Sequence, residues 1–386
     1  MDSFTFFNPV KIHFGTGQLA NLGKIAAATG KKALLVTHPW HDAEGMLVPQ
    51  ATDFERAQQF MENAGVEVLV YDNVQPNPDV IDIDEGARLI QENAINLVIG
   101  MGGGSAMDTA KAISITAAAG CSAWDLVFFK KPRIPDSILP ILTVTTTSGT
   151  GSHMTNIAVV SNRETNEKFP IVHSRLYPVQ AICDPGLMVG IPRRITIETG
   201  FDVFAHALES YTAKKANPLI DELAFEAMRR VSGALVPLSR DLGNIDLRES
   251  MAFADTLAGI CIPNVGTTVP HAMGQPISAI APSVSHGHSL MLVSPPFLAR
   301  IVDAVPDKLA KIGRLFDETI VDASEAARAI TAWIHDFELP SRLRDIGINQ
   351  GNIDELYRQC LMFKKIEQGP GEMTPDDVVA MYREIV

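Results

Sequence analysis

The chain has 386 residues, too many for one ordinary hydrophobic core, so two domains are expected. Its 46% hydrophobic and 20% charged composition is that of a globular protein. A net charge of −13 argues against nucleic acid or an anionic membrane surface as partner, since both demand basic patches.

The opening MDSFTFFNPVKIHF has no basic stretch leading into an apolar one, so no secretory leader is expected. No run of about 18 apolar residues suggests a membrane span. Cys121, Cys183, Cys261 and Cys360 are far apart without a CxxC pair, which argues against a disulfide framework or a thiolate zinc site. A reducing, cytoplasmic location is the expectation.

In chain order, Thr5 to Phe14 reads as a strand ending in Gly15-Thr-Gly, and Lys32 to Thr37 is a short apolar run rich in β-formers. Such runs suit strands buried on both faces of a parallel sheet. A helix is expected from about Ala51 to Ala64, a strand over Val66–Tyr71, a helix from about Val80 to Asn93, and a strand over Ile95–Gly100. This alternation predicts a doubly wound, Rossmann-like α/β sheet.

The third of these buried strands runs into Gly102-Gly-Gly-Ser105, and Ala106 to Ile113 reads as a helix. Glycines between a strand and a helix N-terminus let backbone amides approach a phosphate, and the helix dipole favours the negative charge. The pattern GGGSxxDxxK differs from GxGxxG, and a purely structural glycine turn is the competing reading. Asp108 and Lys111 can be read as helix-surface residues, although Asp108 in the first turn also suits the dipole. A second loop, Thr145 to Ser152, follows the strand Leu139–Val144 and offers hydroxyls with little bulk, suited to a diphosphate or ribose. Two such loops at strand ends favour nucleotide binding over an unremarkable polar turn.

Short strands return at Ile157–Val160 and Ala181–Cys183, and Asp184-Pro-Gly then breaks the chain. Beyond it helices are expected over 194–213, 218–238, 245–262, 288–302, 306–316, 323–336, 352–364 and 375–385. The second half is therefore read as all-helical, with domains 1–188 and 189–386. Within it, Asp202 and His206 are four residues apart in a helical run and share one face. His271, His286 and His288 follow downstream, and the grouping suggests a divalent metal held by one carboxylate and three imidazoles.

GGGSAMDTAK, TTTSGTGS, CDPGL, GFDVFAHALESY and PHAMGQPI…SHG, with the opening FTFFNPVKIHFGTG, resemble the iron-containing (group III) alcohol dehydrogenases over nearly the whole chain. The resemblance implies a dehydroquinate synthase-like architecture: an N-terminal domain binding a nicotinamide nucleotide and a C-terminal helical-bundle domain carrying the metal, with the active site in the cleft between them. It implies Asp202, His206, His271 and His286 as metal ligands, His286 being preferred to His288 because Gly287 follows it. It also implies His38, Gly103, Gly104, Ser105, Asp108, Thr146, Thr147, Thr150, Lys168 and Leu187 along the dinucleotide.

Three departures bear on the chemistry. Gln275 stands where the family usually has a second histidine, so the proton route passes to candidates such as His288 or Gln275 itself. His153 replaces the glutamate of the family's GTGSE. His38 stands where many NAD-preferring members have aspartate and, unlike a carboxylate, neither accepts ribose hydroxyls nor repels a 2′-phosphate firmly, so NAD is taken with NADP still possible. The resemblance implies Fe²⁺, while Zn²⁺ or another divalent ion also suits imidazole-rich ligands. The expected activity is NAD(P)-linked interconversion of a small primary alcohol and its aldehyde, in a homodimer or higher homo-oligomer. A metal-dependent lyase of the dehydroquinate synthase type and a non-catalytic nucleotide-binding protein are the alternatives.

Overall fold

The computed structural model describes residues 3–41, 46–48 and 50–386. They form two compact units. One comprises Asn8–Pro192 with Leu242–Ala252, the other residues 3–7 with Arg193–Asp241 and Phe253–Val386.

The first unit is built on a six-stranded sheet. Its elements are β1 (Lys11–Phe14), α1 (Leu22–Thr29), β2 (Lys32–Val36), α2 (Ala51–Asn63), β3 (Glu67–Tyr71), α3 (Val80–Glu92), β4 (Leu97–Gly102), α4 (Gly104–Ala119), β5 (Ile141–Thr145), β6 (Ile157–Asn162), β7 (Glu167–Val172) and β8 (Gln180–Cys183). The sheet order is β1-β8-β5-β4-β2-β3, with every neighbouring pair parallel. Leu34, Leu35, Val98, Ile99 and Val144 are fully buried, and each such side chain is worth about 1.5–3 kcal/mol against exposure. After β2 the chain turns to one side for β3, then to the other for β4. The strand ends at β2 and β4 are thus the topological switch point where such sheets bind ligands.

Two expectations change here. The opening strand is confined to Lys11–Phe14, and β7 pairs antiparallel with β6 as a separate hairpin. Pro170 masks β7 in the sequence, because a proline is tolerated only where a ladder donor is dispensable. Leu242–Ala252 also joins this unit. Arg248 Nε donates to the Leu242 carbonyl and Nη2 to the Ile191 carbonyl, and Ala252 packs with Cys183, Met188 and Ile191.

The second unit is helical: α5 (Arg193–Thr212), α6 (Pro218–Arg240), most of α7 (Ile245–Asn264), α8 (Val269–Ile280), α9 (His286–Ile301), α10 (Pro306–Gly313), α11 (Ala323–His335), α12 (Ile353–Met362) and α13 (Pro375–Ile385). Helix α8 is an addition to the expected set, hidden by Pro270, Gly274 and Pro276. Pro270 lies in its first turn, where the missing N–H costs nothing. Phe201 and Phe204 of α5 join Trp333 and Phe316 in an aromatic cluster, with Phe204 and Trp333 centroids 5.0 Å apart. That packing fixes α5 in rotation and so aims its polar face. Among the described residues no helix is long and apolar enough to cross a membrane.

Candidate metal centre and nucleotide loops

Helix α5 carries Asp202, His206 and Glu209 at helical spacing on one face, and all three are buried. His271 comes from the first turn of α8 and His286 from the first residue of α9. Asp202, His271 and His286 bring one ligand atom each to within 4.8 Å of one another. His206 adjoins them, with Nδ1 3.4 Å from Asp202 Oδ1 and its ring centroid 4.3 Å from that of His271. The His271 and His286 rings lie 5.1 Å apart at 66°. Helix α9 reaches this position because residue 287 is glycine, since a Cβ there would lie 1.8 Å from the Glu198 carbonyl oxygen of α5.

Glu209 is the residue that the sequence reading missed. His271 Nδ1 donates to its Oε1 at 2.5 Å, while Oε2 accepts from the Thr268 amide at 2.6 Å and the Thr268 hydroxyl at 3.2 Å. One carboxylate thus satisfies the N-terminus of α8 and sets the His271 tautomer, leaving Nε2 with a lone pair. Its position three residues beyond His206 was the available signal, since a carboxylate behind a ligating imidazole is a recurring arrangement.

This donor set fits a divalent cation. Asp202 Oδ1 and His271 Nε2 are buried, lack a hydrogen-bond partner and lie 3.6 Å apart. With Nδ1 carrying the proton, two lone-pair-bearing atoms face each other, an arrangement that a cation between them makes favourable. The electrostatics ask for the same thing. Desolvation pushes Asp202 up, but the imidazoles of His206, His286 and His271 outweigh it and hold the carboxyl at about 2. Desolvation pushes His271 down, yet Glu209 and Asp202 raise it to about 9, so the lone pair on Nε2 belongs to the neutral ring: without a cation Nε2 takes up a second proton, and a bound cation takes that proton's place. The buried carboxylates demand positive charge.

Gln275 lies one turn beyond His271, buried, with Oε1 accepting no protein hydrogen bond. His288 is different from what was expected of a proton-handling group. Its Nε2 donates to the Pro340 carbonyl at 2.8 Å, its Nδ1 lies 3.8 Å from Glu198 Oε1, and it is outside the metal-ligand group. Two residues beyond His286 on the same helix, it points to another side.

The expected nucleotide residues fall largely together, at the carboxyl ends of β2, β4, β5 and β8, which are adjacent in the sheet. Gly103, Gly104 and Ser105 open α4, whose cap residue Gly103 supplies no side-chain bond. Thr146, Thr147 and Thr150 follow β5, and the Thr146 amide donates to the Gly102 carbonyl at 2.9 Å. A Cβ on Gly104 would lie 2.4 Å from Thr150 Cγ2, so glycine there allows the two loops to touch. His38 follows β2 beside Gly102, bonded to the Val74 backbone, and burial holds its pKa below the ordinary value. Leu187 is buried in the turn after β8. Lys168 comes from a different element, the β6–β7 hairpin, where Nζ donates to Asn77 Oδ1 at 2.8 Å.

Asp108 and Lys111 are not surface residues of α4. Both are buried, and both Asp108 carboxylate oxygens are taken by protein donors, Ser152 Oγ and the Val159 amide. His153, also fully buried, is held neutral, since burial first and the nearby Lys111 charge second lower its pKa to about 3.

Comparison with known proteins gives the same organisation. The family model described as iron-containing alcohol dehydrogenase matches residues 9–185, and that of the C-terminal region of the Fe-containing alcohol dehydrogenase family matches residues 196–386. The choline dehydrogenase of Bacillus subtilis is 34% identical over 92% of this chain and 89% of its own. The NAD-dependent methanol dehydrogenase of Bacillus methanolicus is 29% identical over 98% of each chain. The crystal structure of an archaeal halo-thermophilic alcohol dehydrogenase from a Red Sea brine pool superposes with a TM-score of 0.93 at 32% identity, covering 100% of this chain and 99% of that one. Motifs, two-unit architecture and full-length similarity agree: the chain belongs to the iron-containing alcohol dehydrogenase family.

Proposed function

We propose that this chain is an NAD-linked, iron-dependent dehydrogenase that interconverts a small primary alcohol and its aldehyde, with Asp202, His206, His271 and His286 as the metal ligands. The buried, mutually facing acceptors Asp202 Oδ1 and His271 Nε2 carry this reading. When bound, the cation supplies Lewis acidity at the substrate oxygen and the nicotinamide supplies the two-electron acceptor. Asp202 and Glu209 provide the negative charge that retains the cation, and Glu209, by holding the Nδ1 proton, orients His271 with Nε2 towards the site. The glycine loop at 102–105 and the hydroxyl loop at 145–152 are assigned to the dinucleotide, with His38 and Leu187 flanking it and Lys168 contributing from its hairpin. The Gln275 amide does not titrate in water, and His288 Nε2 is engaged by Pro340, so neither is assigned proton transfer.

A small primary alcohol is the substrate class, since the relatives named for methanol and choline both act on a terminal hydroxyl. The lyase alternative needs a cluster of cations for an anionic substrate, and Lys168, its best candidate, is bonded to Asn77. We further assign the chain to the cytoplasm, supported by its four free cysteines, and to a homo-oligomer. The latter is supported by β1 at the sheet edge and by exposed Phe4, Phe6 and Phe7 just before it.

The test is anaerobic NADH oxidation with a panel of small aldehydes, using metal-stripped protein reloaded with Fe²⁺ or Zn²⁺ and repeated with NADPH. Metal-dependent turnover that His271→Ala abolishes is the expected result. Absence of turnover with both cofactors, despite bound metal and nucleotide, overturns the dehydrogenase reading.

A further inference from the structure

Asp108 and Lys111 lie three residues apart on one face of α4, just inside the helix that the glycine loop opens. Lys111 is fully buried, and its Nζ lies within hydrogen-bond distance of five oxygens. These are Ser152 O (2.6 Å), Ser152 Oγ (2.8 Å), Thr155 O (2.9 Å), Thr155 Oγ1 (3.2 Å) and Ile157 O (3.0 Å). Asp108 Oδ1 accepts from Ser152 Oγ at 2.6 Å and Oδ2 from the Val159 amide at 2.9 Å. An ammonium has three protons, so these five acceptors share them. Every partner belongs to the single stretch 152–159, which continues directly from the hydroxyl loop.

The hydroxyl loop is therefore held at two places. Its exit is fastened to the side of α4 by this pair, and its middle rests on the start of α4 where Thr150 meets Gly104. Every charged atom of the two groups is already bonded to the stretch 152–159. The two charges meet through Ser152 Oγ, and buried opposite charges are weak as a source of stability, because well-packed apolar residues often replace them without loss. What the pair supplies is geometry.

We propose that Asp108 and Lys111 are positioning residues for the dinucleotide: by fastening residues 152–159 to α4 they set the spacing of the glycine and hydroxyl loops, and with it cofactor affinity, without touching the cofactor. The proposal rests on the assignment of those two loops to the dinucleotide. Preorganisation of this kind acts on binding, and a displacement of about 1 Å is enough to matter.

The test uses the metal-loaded full chain and compares wild type with Asp108→Leu/Lys111→Met, Ser152→Ala and Ser105→Glu. NADH affinity by titration, KM and kcat, metal content and Tm are measured. The expected result for the double variant is a Tm near that of wild type, unchanged metal content and kcat at saturating cofactor, and an NADH Kd and KM raised about tenfold or more. Ser152→Ala, which removes one side-chain bond to each member of the pair, shifts Kd in the same direction by a few fold. It carries the test if the double variant does not fold. A folded double variant, or failing that Ser152→Ala, with wild-type NADH affinity overturns the proposal, provided Ser105→Glu weakens binding through repulsion of the diphosphate. Wild-type affinity in Ser105→Glu brings down the loop assignment and the proposal with it.

Discussion

Among the described residues, two buried clusters of charged side chains differ in one respect. Around Lys111 and Asp108, each charged atom has protein partners at hydrogen-bond distance. Around Asp202, Glu209 is saturated, but Asp202 Oδ1 and His271 Nε2 are not. Buried polar groups without partners are costly, so their persistence points to something else that completes them. In our proposals the closed cluster shapes the chain and the open one holds a ligand. Composition alone does not tell these apart, because both consist of charged residues on helices.

The largest effect that separates them is loss of a ligand. Asp202→Asn or His271→Ala is expected to abolish stoichiometric iron and turnover together while NADH binding persists, as metal analysis beside a cofactor titration will show. In the closed cluster, Lys111→Met alone leaves the Asp108 carboxylate buried and uncompensated. A loss of about 3–5 kcal/mol in urea unfolding is expected, with metal affinity unchanged. Behind the open cluster, Glu209→Gln keeps the shape but weakens the hold on His271. Iron affinity falls about 10–100-fold in competition with a chelator, and unchanged affinity would refute the role given to Glu209.

Smaller effects sharpen the contrast. His153, in the closed region, is neutral in the folded chain down to about pH 3 but takes up a proton near 6.5 when unfolded. Its contribution to stability is complete above pH 6.5 and is lost as pH falls towards 3, at up to about 1.4 kcal/mol per pH unit. His153→Phe should flatten that part of the acid limb in unfolding curves measured between pH 7 and 4. Last, His38→Asp places a charge where a 2′-phosphate would approach. It should lower NADPH use about tenfold relative to NADH, read as the ratio of the two kcat/KM values.

Much of this was legible from residue types and spacing. The parallel strands announce themselves as apolar runs, and Asp202 with His206 declares a shared helix face. What was hidden follows from physical masking. Pro270, Gly274 and Pro276 read as breakers although α8 accommodates them, and Pro170 conceals β7 in the same way. Asp108, Lys111 and Glu209 look like solvated helix residues, because charge usually is solvated. Only the distances show that Lys111 is buried among carbonyls and that Glu209 backs His271. His288 lies two residues from the ligand candidate His286, yet its Nε2 is bonded to the Pro340 carbonyl, a partner 52 residues away that the spacing gives no sign of.

The way the chain is shared between its two units bears on how it can be made. Residues 3–7 belong with the helices, and Phe7 exchanges two hydrogen bonds with the Asn264 side chain, 2.9 and 3.1 Å long. Leu242–Ala252 in turn belongs with the sheet. During synthesis the sheet unit is therefore incomplete until Ala252 has left the ribosome, long after its last strand has emerged. The first residues meanwhile wait for Asn264. A cut at the apparent boundary, between Pro192 and Arg193, yields two fragments that each lack a piece held by the other. The two units are not separable as genes.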